Sequence, residues 1–107
     1  DAAALIGEGL KLDSKNASAY FDLGNAYLLM GKRGDALGAF ERASGLRRDF
    51  WEAINNQALV LYEQKQDNEA IKRWRQVLTI KAAAEPRLAL AAALTLPVSA
   101  KARNNRN

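Results

Sequence analysis

The sequence predicts an all-α protein built from repeated antiparallel helix pairs, and three observations lead to that fold class. The chain of 107 residues matches itself in side-chain size and polarity after a shift of 34 positions, so that Ala36 falls on Ala70 and Phe40 on Trp74. Apolar residues recur at steps of three and four, the spacing of one helix face. The composition, 49% hydrophobic and 26% charged, is typical of a soluble helical protein. A fixed period of this length is the signature of repeats that stack into a solenoid.

The first full period predicts two helices separated by a glycine. Apolar residues from 17 to 30 form one stripe, with Asn16 placed to cap its start and Gly31 placed to end it. The next stripe runs roughly from 34 to 46. We expect the loops between helices to be short, about three to five residues.

The second full period repeats this arrangement. Asp49 is predicted to cap a helix from about 51 to 64, whose buried face carries Ala53, Ile54, Ala58 and Leu61. Asp67 is predicted to cap the following helix. Its apolar residues at helical spacing are Ala70, Ile71, Trp74, Val77 and Leu78.

Both ends of the chain fit the same register as half repeats. Shifted by 34, residues 1–13 read as the second helix of a pair and residues 85–96 as the first. Pro97 ends the latter because its ring cannot lie in a helix interior. The predicted domain therefore covers 1–96 with six helices: a half repeat at 1–13, repeats at 17–50 and 51–84, and a half repeat at 85–96. The remaining residues, 97–107, are predicted to form a basic, disordered tail.

The net charge of +4 does not favour a nucleic-acid partner. Residues 1–30 carry two lysines against four acids, 31–84 carry ten basic against seven acidic residues, and 85–107 carry four against one. Much of the positive excess therefore lies in the tail, at a lower density than polyanion-binding segments usually have.

Composition also argues against catalysis. The chain has no cysteine and no histidine, so the usual nucleophile, general base and metal ligands are missing. The segment Gly7-Glu8-Gly9 lacks the rest of any phosphate-binding fingerprint. We expect a protein that is not an enzyme, with no metal, no cofactor and no membrane span. The missing cysteine and the missing leader favour a cytoplasmic location.

The motif residues resemble those of the tetratricopeptide repeat family, whose pattern is W-x2-L-G-x2-Y followed by A-x3-F. The first repeat has Tyr20, Leu23, Gly24, Tyr27, Ala36, Phe40 and Ala43 at these positions, with Arg48 in place of a late proline. The second has Ile54, Gln57, Ala58, Leu61, Ala70, Trp74 and Val77. The resemblance covers roughly residues 1–96 and implies a right-handed superhelical solenoid. Gln57 stands where the family has leucine. A buried glutamine would need hydrogen-bond partners and would be a candidate for function, but we favour the interpretation of a half-exposed side chain.

The resemblance also implies a concave groove that is lined by the first helix of each repeat and binds a peptide or helix of a partner protein. Ser18 begins this face, and the predicted partner-binding residues are Phe21, Asp22, Asn25, Leu28, Glu52, Asn55, Asn56, Leu59 and Tyr62. One subset of the family holds a peptide carboxylate with asparagines and cations. Asn25 and Asn56 match the asparagines, but Phe21, Pro86 and Leu90 stand at the cation positions. We therefore expect an uncharged or basic ligand with apolar anchors.

A second hypothesis is a structural module that self-associates or docks within a larger assembly. The segment 88–96 is apolar on nearly all sides, whereas the terminal helix of a repeat stack usually has a polar outer face. Leu88, Leu94 and Leu96 are the residues predicted to form the contact, either in a homo-oligomer or with other protein.

Overall fold

The computed structural model describes residues 1–84, and these form five α-helices with no strand among them. The helices are α1 (Ala2–Leu12), α2 (Ala17–Leu29), α3 (Arg33–Leu46), α4 (Trp51–Glu63) and α5 (Asp67–Ala84). The chain divides into two units, residues 1–77 and 78–107. The first contains α1 to α4 and most of α5, and the described part of the second is the end of α5.

The all-helical prediction is confirmed, and the first four helices begin and end within one residue of their predicted bounds. The connecting loops at 13–16, 30–32, 47–50 and 64–66 have the predicted length. The fifth helix differs from the repeat register, because residues 81–84 correspond to the loop at 47–50 and are helical. The predicted sixth helix at 85–96, the tail at 97–107 and the residues Leu88, Leu94 and Leu96 lie outside the described residues.

The 34-residue period extends to the turn geometry. Gly31 and Lys65 are 34 residues apart and both have a positive φ, 75° and 63° respectively. The Gly31 amide donates to the Leu28 carbonyl at 3.0 Å, and the Lys65 amide donates to the Tyr62 carbonyl at the same distance. Gly31 adopts this left-handed conformation at little cost because it has no Cβ, whereas a lysine adopts it only under constraint. The two helix pairs therefore turn in the same way although only one has the favoured residue.

Of the three predicted N-cap residues, one caps its helix as expected and two do not. Asn16 caps α2, since its Oδ1 accepts from the Ala19 amide at 3.0 Å. The prediction for Asp49 is wrong: α4 starts after Phe50, whose side chain makes no capping bond. Asp67 is not a cap either but lies in the first turn of α5, where its carboxylate faces the positive end of the helix dipole.

The core consists of small residues packed beneath aromatic rings. One cluster contains Ala43, Phe50 and Ala53, with Ala17, Tyr20 and Phe21 packed against it. A second contains Ala58, Leu61 and Ala70, with Leu37 and Trp74 packed against it. Because the alanines are small, the helix backbones approach closely and the rings fill the remaining space.

Helices α2 and α3 approach each other closely at Gly24. Phe40 is fully buried, and its ring lies over Gly24 so closely that a Cβ built on that glycine would be 2.5 Å from the nearest ring atom. The corresponding residues of the next pair are Ala58 and Trp74. Gly24, which has no side chain, therefore sets the distance between α2 and α3.

Two residues of the predicted α5 stripe are exposed, Ile71 and Leu78. The buried side of this helix follows Ala70 and Val77, with Trp74 half-buried between them. A residue one position further along is rotated by about 100°. Ile71 follows Ala70 and Leu78 follows Val77, so both project away from that side.

We expect Gly24→Ala to lower the free energy of unfolding by about 1–3 kcal/mol, because the added methyl group would displace the buried Phe40 ring. Gly38→Ala is the matched control. Gly38 lies inside α3 with nothing within 4 Å of an added Cβ. This substitution should raise stability by about 1 kcal/mol through helix propensity. Urea denaturation measures both, and a stability gain in Gly24→Ala equal to that in Gly38→Ala would contradict the packing argument.

Candidate functional site

The predicted groove residues lie on α2 and α4, and one hydrogen bond joins the two helices directly. Asn56 Nδ2 donates to Asn25 Oδ1 at 3.2 Å, and both side chains are half-buried. Asn25 and Asn56 come from successive repeats, so the face of α2 continues into that of α4. We call this surface, with the predicted residues around the two asparagines, the amide face.

Two predicted groove residues are occupied in packing the repeats. Phe21 is half-buried, with its ring centroid 5.7 Å from that of Phe40 and 5.0 Å from that of Phe50. Asn55 stands 34 positions later and accepts a hydrogen bond from Trp74 Nε1 at 3.1 Å. The same position therefore contacts the aromatic residue of the second helix in both repeats, by a ring contact in one and a hydrogen bond in the other.

The remaining predicted residues are exposed. Leu28 and Leu59 each lie one turn beyond an asparagine of the bonded pair, and Tyr62 lies near the end of α4 with its ring 5.9 Å from that of Trp74. Asp22 and Glu52 are the exposed acids among the predicted residues. The amide face thus offers solvent an amide pair, two leucines, a tyrosine and two carboxylates.

The two helices that carry the amide face have no basic residue. Residues Ala17–Leu29 contain one acid, Asp22, and residues Trp51–Glu63 contain two, Glu52 and Glu63, which gives a net charge of −3. In contrast α5 contains four basic residues, Lys72, Arg73, Arg75 and Lys81, against Asp67 and Glu69. Glu63 is paired with Arg33 of α3 at 2.6 Å, so the acids that give the amide face its charge are Asp22 and Glu52.

Sequence analysis missed a second polar site, centred on Gln57. The interpretation of this residue as half-exposed is wrong: it is 2% exposed. Its Nε2 donates to the Phe40 carbonyl at 3.0 Å and to Ser44 Oγ at 2.8 Å, while its Oε1 accepts from Arg73 Nε at 3.0 Å. The amide is buried because α3 and α5 both supply partners, which offsets the cost of removing it from water. The departure from the family pattern at Gln57 was the signal in the sequence.

This polar network borders a cleft of about 490 Å³ that is lined by residues of α3, the following turn, α4 and α5. Its lining includes Ser44, Arg48, Ile54, Gln57, Arg73 and Gln76. Ile54 supplies an apolar wall, and the other five supply donors and acceptors.

Within residues 1–84, no group of acidic side chains is arranged to hold a metal ion. No described helix combines the length and apolar character needed to cross a membrane.

We expect Asn55→Ala to lower the free energy of unfolding by about 0.5–1.5 kcal/mol, because the indole of Trp74 loses its acceptor. The indole N–H signal of Trp74 in an NMR spectrum should move. Asn56→Ala is the matched control, since it breaks the bond to Asn25 and leaves the Trp74 indole bonded. An unchanged Trp74 signal in Asn55→Ala would show that this hydrogen bond does not form in solution.

The sequence matches no protein-family model and no curated protein. Solved structures match the fold. A crystal structure of MamA matches 78% of this chain with a TM-score of 0.77 and 23% identity, and a second MamA structure matches 79% with a TM-score of 0.72 and 22% identity. The chain spans 49% and 46% of those two proteins, about half their length.

A third match carries the repeat in its name. It is the first TPR of Spaghetti (RPAP3) bound to the HSP90 peptide SRMEEVD, with a TM-score of 0.71 and 20% identity over 87% of this chain and 77% of that one. At these identities the matches establish the fold alone. Together with the 34-residue period and the repeated turns, they show that this chain has the tetratricopeptide repeat fold.

Proposed function

We propose that this protein is a non-enzymatic scaffold that binds a peptide or helix of a partner protein on the amide face. The observation that carries the proposal is the pairing of Asn25 and Asn56 across two repeats, with exposed Leu28 and Leu59 one turn beyond them. Polar groups that fix a backbone and apolar groups that hold side chains are the two requirements of peptide recognition.

The bonded asparagines retain hydrogen-bonding capacity. Their mutual bond uses the Asn56 amide nitrogen and the Asn25 oxygen. Among the described residues, the Asn25 nitrogen and the Asn56 oxygen have no side-chain partner. One donor and one acceptor at a fixed spacing suit the N–H and C=O groups of a peptide backbone.

The exposed apolar side chains of the same face suit ligand anchors. Leu28, Leu59 and Tyr62 are all exposed, and the Tyr62 ring is held against Trp74. Aromatic side chains that are fixed in the free protein lose little conformational entropy when they bind. An amphipathic helix or an extended segment with two or three apolar residues would cover them.

Charge favours an uncharged or basic ligand. The peptide in the RPAP3 structure, SRMEEVD, is rich in acidic residues. Among the residues of the amide face, Asp22 and Glu52 are acidic and none is a lysine or arginine. Each charge-assisted hydrogen bond that cations would have made is worth about 1.5–3 kcal/mol, so the loss of several removes useful affinity. We therefore infer that this protein does not take an acidic C-terminal tail on the amide face.

Side-by-side titrations test this choice. We expect a neutral or basic amphipathic peptide to bind and SRMEEVD to show no binding that depends on the amide face. Asn25→Ala should weaken the amphipathic peptide about fivefold, since one neutral hydrogen bond contributes about 0.5–1.5 kcal/mol. Asn68→Ala, which changes an exposed asparagine of α5, is the control and should have no effect. Micromolar binding of SRMEEVD that Asn25→Ala weakens would overturn the proposal.

One observation favours self-association as a second function. Leu5 and Leu12 on α1 are 76% and 93% exposed, and Leu5 corresponds by the 34-residue shift to Ala39, which is buried. A face that is covered in the next repeat is therefore open in α1. Apolar surface of this kind is typical of a protein contact.

Light scattering tests this second function. If α1 mediates contact between copies, the wild type should form dimers or larger species, and Leu5→Gln with Leu12→Gln should raise the monomer fraction. Leu29→Gln, another exposed leucine, is the control. A wild type that stays monomeric at high concentration would exclude self-association and leave the amide face as the functional surface.

A further inference from the structure

The cleft beside Gln57 is bordered by polar side chains, whereas the equivalent positions one repeat earlier hold apolar side chains. Shifted back by 34 positions, Ser44, Gln57 and Arg73 correspond to Leu10, Leu23 and Ala39. Leu10 and Ala39 are buried and Leu23 is half-buried. The fold is therefore compatible with apolar residues at these positions, and packing alone does not account for the three polar side chains that meet here.

Arg73 is oriented by this network. Its side chain is 25% exposed, and its Nε donates to Gln57 Oε1 at 3.0 Å. Gln57 is itself held by Ser44 and by the Phe40 carbonyl. A guanidinium group fixed through Nε keeps its two outer nitrogens in a plane and directed outward, which is the geometry that a carboxylate binds with two parallel hydrogen bonds.

The outer nitrogens of Arg73 are near acids without being hydrogen-bonded to them. Nη1 lies 3.6 Å from Glu69 and Nη2 lies 4.0 Å from Glu41, both beyond hydrogen-bond distance. Among the described residues, neither nitrogen has a hydrogen-bond acceptor. The two carboxylates therefore partly offset the positive potential around Arg73, but they leave its N–H donors available.

A second arginine lies on the same lining. Arg48, in the turn between α3 and α4, is exposed and makes no ion pair with an acid of the described chain. The charged lining residues are Arg48, Arg73 and Glu41, with a net charge of +1. Glu69, which lies 3.6 Å from Arg73 Nη1, is paired with Lys72 at 3.1 Å, so the net charge around Arg73 stays at +1. One carboxylate neutralises this charge, whereas the second negative charge of a phosphate would be unmatched and would lie close to Glu41.

We propose that this cleft is a second binding site, separate from the amide face, which holds the side-chain carboxylate of an aspartate or glutamate on a partner protein. The carboxylate binds the outer nitrogens of Arg73, Arg48 approaches from the turn, and the Gln76 amide supplies a further donor. Ile54 packs against the methylene groups of the ligand side chain. The protein then has two surfaces of opposite preference, one for neutral or basic segments and one for acidic segments.

The test is an NMR titration of the full chain with acetylated, C-terminally amidated tri-glutamate, in which every carboxylate is a side chain. Tri-glutamine of the same form is the matched ligand control. We expect tri-glutamate to shift the amide signals of Ser44, Gly45 and Gln76, and tri-glutamine to leave them in place. Inorganic phosphate is titrated separately at the same ionic strength, and tighter binding of phosphate at these signals would overturn the assignment to a carboxylate.

Single substitutions test which residues of the cleft bind tri-glutamate. Arg48→Ala should weaken tri-glutamate binding about threefold, as expected for an exposed ion pair. Arg73→Lys should weaken it about tenfold, because an ammonium group cannot make the paired contact. Glu41→Gln should strengthen it about threefold by removing the competing carboxylate. Lys15→Ala removes the same charge as Arg48→Ala from a turn that does not line the cleft, and it is the control.

Two outcomes would overturn the proposal. One is an equal loss of binding in Lys15→Ala and Arg48→Ala, which would mean that net charge alone attracts the peptide. The other is a set of shifts that maps to Asn25 and Asn56 in place of the cleft. Since Arg48 and Glu41 are exposed, their variants should fold even if Arg73→Lys is unstable, so the test does not depend on Arg73.

Discussion

The close approach of Phe40 to Gly24 is the constraint on which the first repeat depends. A ring that is fully buried against a residue without a side chain fixes the distance between α2 and α3. That distance places Ala36, Ala39 and Ala43 in the core, where larger side chains would not fit. It also brings Phe21 within ring contact of both Phe40 and Phe50, so the first pair is joined to the start of α4. The amide face and the cleft beside Gln57 are both built on helices that this spacing positions.

Positions that are 34 residues apart occupy equivalent places in the two repeats but make different kinds of interaction. The contact between Phe21 and Phe40 becomes a hydrogen bond between Asn55 and Trp74 in the next repeat. Similarly, the buried or half-buried Leu10, Leu23 and Ala39 become the network of Ser44, Gln57 and Arg73. The turns of the two repeats keep the same geometry, and no buried side-chain polar atom of the described residues is left without a partner. A repeat protein can therefore acquire a site by changing the side chains at one junction without altering its neighbours.

Sequence alone predicted the helices because apolar spacing, glycines and small residues all indicate the same architecture. The start of α4 was predicted correctly, but its cap was not: Asp49 has the residue type of a cap, whereas the residue at that position is Phe50, which is buried against other helices. The amide face was predicted from a family resemblance. Its internal pairing was not, because contact between Asn25 and Asn56 depends on how two repeats stack. Gln57 was recognised as unusual, but its burial follows from partners on α3 and α5 that no local pattern identifies.

The left-handed Lys65 has a consequence for how the protein folds. Gly31 encodes its turn locally, so the segment containing α2 and α3 carries its own signal to reverse direction. At Lys65 the residue disfavours the observed conformation by about 1–2 kcal/mol, and the turn forms because contacts between α4 and α5, such as those of Asn55 and Gln57, stabilise it. Those contacts extend to α3, through the Ser44 hydroxyl and the Phe40 backbone carbonyl. We therefore expect the second helix pair to be less autonomous than the first, with a cooperative unit larger than one repeat.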